Sequence, residues 1–332
     1  MMNASSFPSL LQHFFTDRLF GQLNASPHTV ACYRDAFRLL FLFAKEHLGR
    51  SPSELRLEEL DVPFLGKFLE YLEFERHNCT RTRNNRLSAL QAFFRYVSFS
   101  EPALALHCQR ILAIPAKRYE RCPVEFLTEE EASALVAAPQ PDKWIGRRDR
   151  TILLVAIQTG LRNSEITSLR CEDVQFGTGA HVHCLGKGRK MRCTPLGPDV
   201  ATALKEWLTE QDGNPKSLVF PSSRGTRLSA DALQRLVVKY TAVASRSCPS
   251  LKGKKVTPHT LRHSAAMNLL RGGVDLSVIA LWLGHESTET TQIYVHADIR
   301  LKEQALAHAT SSGLVPNRYR PQDPLLNFLE NL

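Results

Sequence analysis

The chain has 332 residues, 43% of them hydrophobic, and a formal net charge of +9. That length exceeds what a single core usually organises, and the apolar content excludes a disordered chain, so two domains are expected. The basic balance suits a polyanion, either nucleic acid or an anionic membrane surface, and no apolar run is long enough to span a bilayer.

The first 115 residues read as helices. Ser26-Pro27 with Thr29 marks a helix start, and Val30, Tyr33, Phe37, Leu40 and Phe41 follow at three- and four-residue steps. A second such pattern runs from Leu60 to Leu72, entered through Asp61 and Pro63. Thr80 to Arg86 leads into a third, with Leu87, Leu90, Phe93, Phe94 and Val97 apolar. Arg81, Arg83 and Arg86 gather where that helix begins; they suit either a solvated turn or a phosphate grip working with free helix N–H groups. Residues 116–126 look like a basic linker, with Lys117, Arg118 and Arg121, bracketed by Pro115 and Pro123.

Thr128 followed by Glu129, Glu130 and Glu131 forms a capped helix start, and a second domain is expected over 127–310. Arg150 to Leu161 reads as an apolar helix ending at Gly160. Val174 to Thr194 is the β region: it alternates and turns at Gly186-Lys187-Gly188, where Arg189 and Lys190 add charge. Helices follow at 199–211, 229–245, 259–272 and 275–283, then a Pro- and Gly-bearing tail over 311–332 that is either loose or docks on a protomer. The fold class is therefore mainly α: a helical N-terminal domain plus a mixed α/β C-terminal domain with a small antiparallel sheet. Lys and Arg number 13 against 11 acids over 1–115 but 29 against 22 over 116–332, so the second part should attract a polyanion more strongly.

Eight cysteines, Cys32, Cys79, Cys108, Cys122, Cys171, Cys184, Cys193 and Cys248, show no C-x-x-C spacing. Free thiols in a reducing cytoplasm are expected, and no signal peptide is visible. His181 and His183 would share one strand face; a metal would need further ligands at fitting spacing, so a polar face without metal is expected.

Four stretches carry the chemistry: Arg162 directly after Gly160-Leu161, Lys187 on its glycine turn, His259 and Arg262 three apart on one helix face, and His285 with Tyr294 nine residues later. Alone, each has a plain structural reading: a helix cap, a solvated hairpin, core histidines, a packed aromatic. Together they are donors for anionic oxygen around a phenol whose oxyanion cations make more accessible. Such a set suits attack on a phosphodiester, with Lys187 as general acid to a leaving oxygen. No Asp/Glu cluster could hold two metals, which disfavours a metal-dependent nuclease.

The blocks GLRNSEI, GKG, HTLRH and LGH, with Tyr294 nine residues beyond the last His, resemble the tyrosine recombinase (phage integrase) family near its Xer and transposon-borne branches. The resemblance covers about residues 125–310 and is looser for the N-terminal core-binding domain. It implies a site-specific recombinase that cuts through a 3′-phosphotyrosine on Tyr294, with Arg162, His259, Arg262 and His285 holding the phosphate and Glu165 orienting the Arg162 region. It implies no cofactor. Its expected partner is double-stranded DNA with inverted-repeat half-sites, bound as a homo-tetramer on two duplexes, alone or with related recombinases, through a helix after Tyr294 that docks on a neighbour. Rival readings are a type IB topoisomerase and a non-cleaving DNA-binding regulator or bridging partner.

Overall fold

The computed structural model describes residues 6–120, 124–186, 191–211, 213–285, 291, 292 and 294, which form two compact units, Met1–Arg121 and Cys122–Leu332. In the first unit, α1 (Phe7–His13) runs into a π-helical segment (Phe14–Gln22), followed by α2 (Pro27–Leu48), α3 (Val62–Phe74), α4 (Thr80–Ser100) and α5 (Ala105–Leu112). The starts of α2 and α3 obey local capping chemistry. Ser26 accepts from the Thr29 amide at 3.1 Å and Asp61 from the Phe64 amide at 2.8 Å, each with Pro in the first turn. Helix α2 stops at Gly49, whose φ of 65° lies in the left-handed region.

The core of this unit is aromatic. Phe93 is fully buried and meets Phe7, Phe14, Phe37 and Phe94 edge-on, at centroid distances of 5.9, 5.4, 5.3 and 5.4 Å. Edge-to-face packing satisfies the ring quadrupoles, so one side chain of α4 ties α1, the π-helical segment and α2 together. The chain beyond α5 is fastened to α4 rather than free. Asn84 donates to the Lys117 carbonyl at 2.8 Å and accepts from its amide at 3.1 Å, while Gln91 donates to the carbonyls of Leu112 and Ile114.

The second unit contains α6 (Glu129–Ala137), α7 (Trp144–Thr159), α8 (Asn163–Ser168), β1 (Val174–Gln175), β2 (His181–Leu185), β3 (Met191–Pro195), α9 (Pro198–Thr209), α10 (Ala230–Ala244), α11 (Pro258–Arg271) and α12 (Leu276–Leu283). The strands make one antiparallel sheet in the order β1-β2-β3, with Val182 opposite Thr194, His183 opposite Cys193 and Cys184 opposite Arg192. Val182, Cys184 and Thr194 face the core; His181, His183 and Cys193 face outward. The mainly helical class with one small antiparallel sheet is thus as expected.

Helix α7 begins at Trp144, earlier than the apolar pattern from Arg150 indicates. The charged run at its start is buried by pairing. Asp149 accepts from Arg148 at 2.7 Å and from the Tyr240 hydroxyl at 2.9 Å, and Arg148 lies over the Trp144 ring. At α6, Thr128 and Glu131 close the expected capping box, and buried Glu131 pairs with Lys254 at 2.7 Å. No helix among the described residues is long and apolar enough to cross a membrane. Removing the Phe93 ring should destabilise the first unit by about 3–5 kcal/mol, because four neighbouring rings cannot collapse into one cavity. Chemical denaturation of Phe93→Ala followed by circular dichroism measures it; a loss below about 1 kcal/mol would refute the tying role.

Candidate active site

Two left-handed glycines shape the site. Gly160 ends α7 with φ 62°, and a Cβ there would stand 2.8 Å from Leu283 Cδ2 and 3.1 Å from Ala265 Cβ, so only glycine lets α11 and α12 close on this turn. Gly284 ends α12 with φ 64°, and a Cβ there would lie 3.0 Å from Arg192 Nη1. The carbonyls exposed at these helix ends become acceptors for arginines. Arg262 Nη1 donates to the Gly160 oxygen at 2.6 Å and its Nη2 to the Leu283 oxygen at 2.7 Å; Arg162 Nη2 donates to the Gly284 oxygen at 2.7 Å.

Glu165 organises the next layer. Its Oε2 accepts from the Arg162 amide at 2.6 Å and from Arg192 Nη2 at 2.7 Å; its Oε1 accepts from Arg162 Nη1 at 3.0 Å and Arg192 Nη1 at 2.8 Å. Burial alone would raise this carboxyl, but the hydrogen bonds from Arg192 and the Arg162 amide outweigh it and hold it below the usual range. Arg192 also donates to the Trp282 carbonyl at 3.2 Å, so β3 is bound to the end of α12.

Tyr294 lies inside this frame, 1% exposed, against Met267, Leu270, Ile279 and Leu283. Its hydroxyl is 3.0 Å from His263 Nδ1. Burial pushes the phenol up to about 12, partly offset by Arg262. Burial, then His259 and Arg262, bring His263 down to about 4; burial, then Arg262 and Arg162, do the same for His285. Burial and then Arg162 lower Arg262 to about 10. Both imidazoles are therefore neutral near pH 7, and the His263 Nδ1 can accept the phenol's hydrogen bond. His285 Nδ1 is 2.9 Å from Thr291 Oγ1, and His259 is exposed on α11 with its ring 6.3 Å from that of His263.

Of the residues singled out in the sequence, Arg162, His259, Arg262, His285 and Tyr294 belong to this one neighbourhood. Lys187, Arg189, Lys190 and Arg121 lie outside the described residues, as do 297–309 after the tyrosine and the tail 311–332. His263 and Arg192 were not singled out. The signals were present: His263 follows Arg262 in HTLRH one turn from His259, and Arg192 occupies an inward position of a strand that otherwise carries Thr194 there. In the first unit, Arg81 and Arg118 are exposed. Arg83 is 7% exposed and donates to the Asn84 side chain and the Pro115 carbonyl, and Lys117 is paired with Glu73. Arg86 Nη1 is buried with no hydrogen-bond partner among the described residues.

The phage integrase family model matches residues 125–300, and the phage integrase N-terminal SAM-like domain matches residues 13–98. The chain is 50% identical to the integrase/recombinase y4rC of Sinorhizobium fredii over 332 residues, covering 100% of both. It is 32% identical to the tyrosine recombinase XerC of Pelobacter propionicus over 293 residues, 88% of this chain and 90% of the other. Its fold is similar to the XerH site-specific recombinase bound to palindromic difH substrate in a post-cleavage complex, with TM-score 0.66 and 24% identity over 92% of this chain and 85% of that one. The family match over residues 125–300, which holds the cluster of arginines and histidines around one tyrosine, places the chain in the phage integrase family: it is a tyrosine recombinase, a DNA strand transferase of site-specific recombination.

Proposed function

We propose that Tyr294 is the nucleophile that cuts DNA during integration, excision or transposition of a mobile element. Its oxygen attacks a phosphorus, the bond to the 5′ oxygen breaks, and a 3′-phosphotyrosine forms. Arg162, His259, Arg262 and His285 hold the phosphate, and Lys187 gives the departing 5′ oxygen its proton. The 5′-hydroxyl of a second strand reverses the step, so the phosphodiester energy is conserved and no cofactor is required. The observation that carries this reading is the Tyr294 hydroxyl beside His263 and within the field of Arg262. Arg262 and Arg162 are anchored by backbone carbonyls and retain further N–H donors for a phosphate.

Tyr294 is covered in this arrangement, and burial keeps the phenol protonated; attack requires it to leave that cover. Exposure on engaging DNA or a second protomer would restrict cutting to the assembled complex. The assembly we propose is a homo-tetramer on two duplexes with inverted-repeat half-sites, alone or with related recombinases, working in the cytoplasm. Residues 1–115 would serve as the core-binding domain and 127–310 as the catalytic domain, joined by 116–126, with the segment after Tyr294 docking on a neighbour. Arg81, Arg86, Arg118, Arg121, Arg189 and Lys190 would meet phosphates directly. Arg83 and Lys117, already engaged, would act by bracing the helix and linker that carry them.

Incubation with nicked duplexes from the DNA flanking the gene should trap a metal-independent protein–DNA adduct on denaturing gels. Tyr294→Phe should abolish it; an adduct that survives this change would refute the nucleophile. A second expectation concerns pH. Unfolded His263 and His285 take up protons at the ordinary value near 6.5, whereas in the folded chain they do so only near 4. Stability from these neutral imidazoles is thus complete above about 6.5 and is lost as pH falls toward 4, by on the order of 1–3 kcal/mol each. Thermal melts between pH 7 and 4.5 should fall for the parent chain and fall less steeply for His263→Gln; parallel curves would contradict the buried neutral imidazole.

A further inference from the structure

The outward face of the β2–β3 hairpin gathers three soft or borderline metal ligands that the recombination chemistry does not use. His181 and His183 project from the same face of β2, and Cys193 sits directly across the ladder from His183 on β3. One ring nitrogen of each imidazole and the Cys193 sulfur lie within 4.8 Å of one another. The strand pattern of His181 and His183 supplies two ligands, and pairing with β3 supplies the third, which no local spacing shows.

The histidines are already arranged as ligands. His181 Nδ1 is 2.7 Å from the Gly179 carbonyl, which can only accept, so Nδ1 carries the proton and Nε2 presents its lone pair. That lone pair faces His183 Nε2 at 3.1 Å. A tetrahedral zinc with Zn–N of about 2.0–2.1 Å and Zn–S of about 2.3 Å spaces its ligand atoms roughly 3.3–3.6 Å apart. The nitrogens are close to that spacing already, and rotation of the exposed Cys193 side chain supplies the remaining contraction of about 1 Å.

We propose that His181, His183 and Cys193 form a zinc-class divalent metal site, with the fourth tetrahedral position left to solvent. Binding moves the His183 proton from Nε2 to Nδ1, so that both imidazoles stay neutral, and releases only the Cys193 thiol proton, as ligation by neutral imidazole and thiolate requires. Its effect is mechanical: it staples β2 to β3, the two paired strands between which Lys187 falls in the sequence. The proposal is independent of the recombination reading.

The test titrates the full-length chain with Co2+ in the absence of DNA, using absorption and equilibrium dialysis. One ion should bind per chain with a thiolate-to-cobalt charge-transfer band. Cys193→Ser should remove the band, and His181→Ala and His183→Ala, which keep every cysteine, should each weaken binding at least tenfold. Zn2+ should raise the melting temperature of the parent chain and leave that of Cys193→Ser unchanged, a comparison that holds because this exposed, conservative change preserves the fold. A band that survives Cys193→Ser, or an affinity unchanged in both histidine variants, would overturn the site.

Discussion

The Glu165 carboxylate, shared by Arg162 and Arg192, is the interaction on which the rest of the site depends. It is almost fully enclosed, and its two oxygens accept four hydrogen bonds from three separate donors: two guanidinium groups and one backbone amide. A buried anion is tolerated only when paired and hydrogen-bonded throughout, and two neighbouring guanidinium groups likewise require a counter-charge. The same contacts are structural. They join the start of α8 to β3, and through Arg192 and Arg162 they reach the carbonyls of Trp282 and Gly284 at the end of α12. The segment that leads to His285 and Tyr294 is thereby registered against the strand hairpin.

Within this frame, polarity is graded. The arginines are fixed by helix-end carbonyls that would otherwise lack partners, so the charges proposed to meet a phosphate also satisfy the fold. The histidines are kept neutral by burial and neighbouring cations, and the phenol is kept protonated by burial. On the proposed reading, the cations that would stabilise a pentacoordinate phosphate are already fixed in place, whereas the proposed nucleophile, Tyr294, is covered. Electrostatic preorganisation of this kind places most of the cost in folding rather than in the reaction step.

Much of this was legible because it is local. The caps at Ser26, Asp61 and Thr128, the left-handed Gly160, and the three-residue step from His259 to Arg262 all follow from rules that act within one helical turn. What was missed is non-local. The start of α7 at Trp144 was hidden because Arg148 and Asp149 look like surface charges until Tyr240 and Trp144 enclose them. Arg192 and Cys193 depend on strand register: one position inward gives a partner for Glu165, the next outward gives a third ligand beside two histidines. His263 was visible in HTLRH, but its meeting with Tyr294 spans 31 residues and requires α11 and the segment after α12 to pack together.

A double-mutant cycle on Glu165 and Arg192 tests the central claim most directly. Chemical denaturation would compare Glu165→Gln, Arg192→Gln and the double variant with the parent chain. A buried pair of this kind predicts losses of about 3–5 kcal/mol for each single change and a double loss little larger than either, because the second change removes a group already stranded by the first. Losses that simply add would show that Glu165 and Arg192 act independently, and the carboxylate could not be the organising element of the site.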